Sequence, residues 1–340
     1  MTENGGSDGG TADTMRDRAD ESGVKLWLLL RANRLLVTGV VTVGLFVAFV
    51  VGAAALSPAL AEKVGSSDVI ETMFSAMITA IVTGTTLVVT IGQLVLTQEN
   101  GPLGDQRDRM AGAMEVRESV AALTGNPSPT DPAEFLDAIL GVAADRSERL
   151  RTSVSVAERP DAVGDDLAEL GQRVAGNADT VREQLDGARF GSFDVVFAAL
   201  DFNYGRKIHR VDRLEADHGD SLTEAERDAL GDLRESLSLF GPAREHVKTL
   251  YFQWALIDLS RLILYAAVPA LLVAGLMLAV VDSGTVPGST LGVEHVTVAV
   301  AGAFAVTLVP FVLFVAYLLR ILTLAKRTLA IGPLVLRDGQ

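Results

Sequence analysis

The chain has 340 residues and a mean hydropathy of +0.33 although 21% are charged, so very apolar and very charged segments alternate in one molecule. Its net charge is −14, from 43 Asp and Glu against 29 Lys and Arg, and no segment forms a basic patch, which argues against a nucleic-acid partner. There is no cysteine, so disulfides, thiolate metal sites and cysteine nucleophiles are excluded as well.

Only five basic residues are lysines (25, 63, 207, 248 and 326), against 24 arginines. An acidic, lysine-poor surface is what high salt favours, so a halophilic source is expected. At molar salt charges are screened within about 3 Å, and acidity then serves solvation instead of long-range steering. The four histidines, His209, His218, His246 and His295, are scattered with no pair at zinc spacing, and no metal site and no cofactor are expected.

Residues 1–22 are rich in Gly, Asp and Thr without apolar periodicity and read as disordered. Val24–Arg34 mixes Trp27 and leucines with Lys25, Arg31 and Arg34, which suits a short helix at a membrane surface. Four apolar runs follow, each of the roughly 20 residues that a bilayer requires. They are Leu35–Leu56, Val69–Thr97, Leu262–Val281 and Val296–Leu319. Ala59-Leu60-Ala61 has the form of a signal-peptidase site, but the run before it is too long for a signal core and reads as a transmembrane helix.

In the second run, taken at about 100° per residue, Thr72, Ser75, Thr79, Thr83, Thr86, Thr90, Gln93 and Thr97 fall in a wedge about 80° wide. Every position assigned to that wedge between residues 72 and 97 is polar, and Thr85 is the one hydroxyl off it. The eight repeat at about 3.6 residues per turn, so the stripe stays in line on a nearly straight helix. Beside it Ala76, Ala80 and Gly84 form a ridge of small residues, which lets helices approach closely. Lipid cannot satisfy a face polar along its whole length, so the face turns to protein or water. Asp68 lies on the same line at the outer mouth, where a ring of carboxylates favours cations.

The second span ends at Asn100-Gly101-Pro102, a helix stop. Successive amphipathic helices are expected after it: Gly104–Leu123, a Pro-rich linker Asn126–Pro132, then a helix to about Val156 opened by Asp131 as cap with Pro132 at its first position. Asp165–Asp186 and Phe190–Asp217 come next, the latter with a core stripe of Phe193, Val196, Phe197, Leu200 and Tyr204. Thr223 and Glu226 form a capping box for a helix to about Phe240, and Pro242 is read as opening another that rises into the third span. Tyr251, Phe252 and Trp254 mark the inner interface, with Asp258 and Arg261 spaced to pair. Pro269 and Pro310 are expected to kink their spans. No sheet is expected.

The basic residues flank the first span on its N-terminal side (Lys25, Arg31, Arg34) and the last on its C-terminal side (Arg320, Lys326, Arg327, Arg337). The loop 58–68 has only Lys63 and the loop 282–295 has none, so both termini and the middle domain are expected in the cytoplasm of a cell-membrane protein. The organisation is then 1–22 disordered, 24–98 interfacial helix and two spans, 99–241 cytoplasmic helical domain, 242–325 stalk helix and two spans, and 326–340 tail. Residues 98–250 hold 30 acidic against 18 basic residues, so most of the acidity belongs to that domain.

The order of parts resembles that of bestrophin-type anion channels, whose second span lines a pentameric pore. This likeness covers topology and no residue motif. The wedge places Thr79, Thr83 and Thr86 where that family has an aromatic and isoleucine neck, so no binding residue and no ion preference is carried over. Separately, Gly92-Gln93-Leu94-Val95-Leu96-Thr97-Gln98-Glu99 through Gly104-Asp105-Gln106-Arg107, and Phe240-Gly241-Pro242-Ala243-Arg244-Glu245-His246, resemble uncharacterised four-span membrane proteins of halophilic archaea.

The expectation is an all-α integral membrane protein with a cytoplasmic helical bundle. Its leading function is a homo-oligomeric channel in the lipid bilayer that passes an inorganic ion along the Thr/Ser/Gln wedge. Hydroxyls replace part of an ion's hydration without tight binding. The rival is a non-conducting scaffold or sensor, in which the wedge packs on the other spans and the acidic bundle recruits a partner. Catalysis is not expected, since no nucleophile elbow, phosphate loop or His-Glu-x-x-His occurs.

Overall fold

The computed structural model describes residues 27–28, 32–55, 60–66, 68–99, 101–156, 162–189, 191–282 and 284–327. The expected disordered start, most of the interfacial helix Val24–Arg34, Ala59 and the tail beyond Arg327 lie outside the described residues. The helices in chain order are α1 Arg34–Ala55, α2 Leu60–Ser66, α3 Val69–Glu99, α4 Leu103–Thr124, α5 Pro132–Val156, α6 Ala162–Leu185, α7 Phe193–Leu200, α8 Tyr204–His218, α9 Glu224–Val280 and α10 His295–Arg327. The protein is all-α except for a two-residue antiparallel pair, β1 Ser289–Thr290 with β2 Val293–Glu294. That hairpin, between α9 and α10, departs from the expectation of no sheet. Gly292, at positive φ, lies in the turn itself, and Gly288, also at positive φ, precedes β1.

Four helices, α1, α3, α9 and α10, are long and apolar enough to cross a membrane, which makes this a multi-pass membrane protein. Their outward sides carry apolar side chains that a water-soluble surface would not: Leu36, Val40, Val43, Val47 and Val51 line one exposed side of α1 at helical spacing.

The described residues divide into two compact units, one within 102–252 and the other from 27–101 with 253–325. In the first, α5 and α6 pack side by side. Leu136, Leu140, Ala143, Leu150 and Val154 on α5 are buried, as are Leu167, Leu170, Val174, Ala178, Val181 and Leu185 on α6. The approach is closest at Gly171, where a Cβ would stand 2.9 Å from the Ser147 carbonyl oxygen and 2.7 Å from Arg151 Cγ. Asp131 caps α5 as expected, its Oδ1 accepting from the Ala133 (2.8 Å) and Glu134 (3.3 Å) amides. Arg117 holds the linker by donating to the carbonyls of Ser128 (2.8 Å) and Pro129 (2.9 Å).

The helix expected over Phe190–Asp217 is two helices. The chain breaks at Asp201–Asn203 because Phe202 turns into the core, fully buried, against Phe240 at 4.8 Å. Asn203 then caps α8 through its side chain. Lys207 sits over the Phe202 ring and donates to Asn177 Oδ1 (2.8 Å), and Asn177 donates to the Asp201 carbonyl (3.0 Å), so the break is held by polar ties. The aromatic stripe still serves as core, with Phe193, Val196, Leu200 and Tyr204 buried.

The capping box at Thr223 forms as read: its amide donates to Glu226 Oε2 (2.8 Å) and its hydroxyl accepts from the Glu226 amide (3.3 Å). Pro242, however, opens no new helix; α9 runs through it. The buried stripe Leu230, Leu233, Leu237, Phe240, Ala243, Val247 and Tyr251 continues across the proline. Burial on both sides outweighs the one backbone hydrogen bond that proline removes.

Next to it, Arg244 lies 4.8 Å over the Tyr204 ring and donates to Glu245, which Lys248 also contacts. Burial pushes the Glu245 carboxyl up, but the hydrogen bonds from Lys248 and Arg244 outweigh it and hold the group below its usual value. A carboxylate depressed in the folded state adds stability at neutral pH that is lost as pH falls through its folded value. We expect Glu245→Gln to be less stable at neutral pH and to lose less on acidification below about pH 4.5. Thermal unfolding of both chains from neutral to acid pH checks this, and parallel curves would count against it.

Candidate functional site

In the second unit, α3 packs through one apolar side. Ile70, Phe74, Ile81 and Val88 are buried. Ile70 and Phe74 join Ala274, Met277, Val296, Val300 and Ala303; Ile81 meets Ala267 and Ala270; Val88 meets Leu259, Ile263 and Leu313. At Gly92 the approach to α9 leaves a Cβ only 3.2 Å from Ser260 Oγ.

The other spans lock onto this set. Phe49 of α1 lies 5.1 Å from Phe304 of α10, and Arg34, buried, donates to the Ala316 (3.3 Å) and Leu28 (3.0 Å) carbonyls. Arg320 returns a bond to the Ala32 carbonyl (2.6 Å), so two arginines tie the start of α1 to α10. Asp258 accepts from the Tyr317 hydroxyl at 3.0 Å instead of pairing with Arg261, which faces outward.

The polar wedge lies on the opposite side of α3. At about 100° per residue the buried stripe and the wedge centre are roughly half a turn apart. All eight wedge residues, Thr72, Ser75, Thr79, Thr83, Thr86, Thr90, Gln93 and Thr97, are exposed. So are Ala76, Ala80 and Gly84, and a Cβ on Gly84 would meet nothing within 4 Å. Asp68, also exposed, precedes α3 and lines a shallow hollow with Val69, Thr72 and Met73. The structure thus brings the candidate residues onto one continuous open surface and, among the described residues, pairs none of them with the other spans.

Four of the hydroxyls bond their own backbone. Thr79 donates to the Ser75 carbonyl (3.1 Å), Thr86 to Val82 (2.8 Å), Thr90 to Thr86 (2.9 Å) and Thr97 to Gln93 (2.8 Å). Thr85, off the wedge, differs: its Oγ1 is buried without a hydrogen-bond partner. A buried unsatisfied hydroxyl costs about 1–3 kcal/mol, and valine has the same shape without the oxygen. We therefore expect Thr85→Val to raise stability by about 1 kcal/mol, whereas Thr86→Val gains nothing comparable; thermal unfolding in mild detergent distinguishes the two.

Among the described residues no group of three His, Asp or Glu side chains stands close enough to hold a metal ion. Sequence reasoning did not single out the Arg34, Arg320 and Asp258–Tyr317 ties. Their signal was charged residues at the ends of apolar runs, which membrane-surface anchoring also explains.

A family model for a family of unknown function, DUF7972, matches residues 1–340. The chain belongs to that family. No curated protein and no solved structure matches it.

Proposed function

We propose that the chain is a homo-oligomeric channel whose pore is lined by the polar face of α3. The supporting observation is that eight polar residues, consecutive on one face, lie exposed opposite the side through which α3 packs on its own chain. In hydrocarbon that face has no water to bond, and burial of uncompensated polar groups is costly. Copies arranged around an axis resolve this. The ridge of Ala76, Ala80 and Gly84 takes a neighbour closely, and the hydroxyls turn to a water-filled centre. Thr79, Thr83, Thr86 and Thr90 form the hydrophilic narrows, with Asp68 and Gln93 at the two ends. Both termini and the domain 99–241 are cytoplasmic, from the bias of arginine and lysine. The acidic, lysine-poor composition fits a cell-membrane protein of a halophile, and the order of spans resembles that of bestrophin-type channels, whose second span lines the pore.

One observation favours a second reading, a non-conducting scaffold. Threonines that bond their own carbonyls tolerate a dry interface. Because no described part of the chain's other spans covers the wedge, the scaffold requires another protein to cover it.

Cysteine accessibility separates the two, since the native chain has no cysteine. Single cysteines at Thr79, Thr83, Thr86 and Thr90, with Ile78, Leu87 and Val89 as controls, are exposed to a charged, membrane-impermeant thiol reagent. Labelling confined to the wedge is expected. Wedge cysteines that stay unreactive while a neutral permeant reagent modifies them would overturn the pore.

A further inference from the structure

We propose that this pore passes small hard cations and rejects anions, an inference that rests on the channel reading above. A hydroxyl has one proton and two lone pairs. A carbonyl oxygen only accepts, so each bond from Thr79, Thr86, Thr90 and Thr97 to the carbonyl four residues earlier consumes that one proton. These hydroxyls are exposed, and what they present outward is lone pairs alone.

A cation that sheds water is compensated by oxygen lone pairs, whereas an anion requires N–H or O–H donors or a fixed positive charge. The backbone amides within α3 are engaged along the helix and supply none. Thr72, Ser75, Thr83 and Gln93 retain protons, but each brings at least as many acceptor lone pairs as donor protons, and none carries charge.

Fixed charge points the same way. From Val69 to Glu99 the helix contains no Lys, Arg or His; its charges are Glu71 and Glu99. Asp68 adds a carboxylate beside Thr72 where the wedge begins. In a closed ring Asp68 is repeated once per subunit, so the mouth is negative and the narrows accept hydrogen bonds. Along this face chloride meets the scattered protons of Thr72, Ser75, Thr83 and Gln93 and no positive charge, against lone pairs at every wedge position.

The test is a reversal potential. The purified full chain is placed in planar bilayers of phosphatidylcholine, whose zero net charge lends the membrane no selectivity of its own. KCl is concentrated on one side. Current reversing near the potassium equilibrium potential is the expected result. Thr86→Val with Thr90→Val, which keeps shape and removes the oxygens, should lower potassium conductance about tenfold, and the Ser pair at the same positions should restore it. Reversal near the chloride potential would overturn the cation inference while leaving a pore. Absence of current from the native chain would overturn the pore and the inference together. Potassium selectivity with undiminished conductance in the valine pair would overturn the assignment to these oxygens.

Discussion

Leucine at both Thr83 and Thr86 is expected to abolish current through the reconstituted protein without unfolding it. The two positions are exposed, on the side of α3 that makes no contact with the buried stripe of Ile70, Phe74, Ile81 and Val88. Leucine is a good helix former and adds no buried strain there, so the fold has little reason to change. In a ring, however, the exchange places two adjacent girdles of isobutyl groups where hydroxyl oxygens stood. An ion passing them loses its compensating ligands, and a narrow apolar girdle also expels water. Each ~1.4 kcal/mol added to the barrier lowers a rate about tenfold, and the loss of oxygen ligands from several subunits exceeds that. Single-channel recording should find no openings from the leucine pair, and normal openings from Thr83→Ser with Thr86→Ser, which keep the oxygens. Current equal to that of the native chain in the leucine pair would remove the wedge from the conduction path. Size-exclusion profiles and thermal unfolding of the same samples show whether a silent variant is still assembled.

The wedge was legible because its chemistry alternates with the helical period: a hydroxyl every three or four residues stands out against apolar neighbours. The packed side of α3 was not. Ile70, Phe74, Ile81 and Val88, which are buried, are chemically the same as Val82, Leu87 and Leu94, which are exposed. In a membrane protein both sides are apolar, so hydropathy distinguishes neither. Only the direction was implicit, since the wedge turned away from the chain's own spans fixes what is opposite it.

In the unit within 102–252 the capping signals at Asp131 and Thr223 translated directly, because a cap is a contact over two or three residues. Misreadings came where local and long-range signals conflict. Pro242 looks like a start, yet the buried positions from Leu230 to Tyr251 keep α9 continuous. Phe193 to Tyr204 looks like one helix, yet Phe202 finds a partner in Phe240, thirty-eight positions on in the chain, and the backbone bends to deliver it. A single sequence contains the periodicity but not the partner. The exposed Leu103, Met110 and Met114 of α4 illustrate the same limit from the other side: they recur at helical spacing, yet none of the three is buried.

That aromatic junction sets the second large effect. Phe240 is 1% exposed, meets Phe202 edge-on at 4.8 Å and lies 6.0 Å from Tyr204, whose ring in turn carries Arg244. Gly241 confines the group further, because a Cβ there would come within 2.8 Å of the Tyr204 ring. Side chains so confined by their neighbours have little freedom to collapse into a vacated space. Phe240→Ala is therefore expected near the full cost of a large-to-small core change, about 3–5 kcal/mol. The loss should fall on the unit within 102–252. It releases Phe202, and with it the turn at Asp201–Asn203 that Lys207 and Asn177 brace. Leu103→Ala, at a position 83% exposed in the same unit, should cost well under 1 kcal/mol. Limited proteolysis of the full chain in mild detergent reads both: cleavage between 102 and 252 should accelerate by orders of magnitude in Phe240→Ala and hardly at all in Leu103→Ala. Equal protection in the two variants would mean that the junction of α7, α8 and α9 does not hold this unit together.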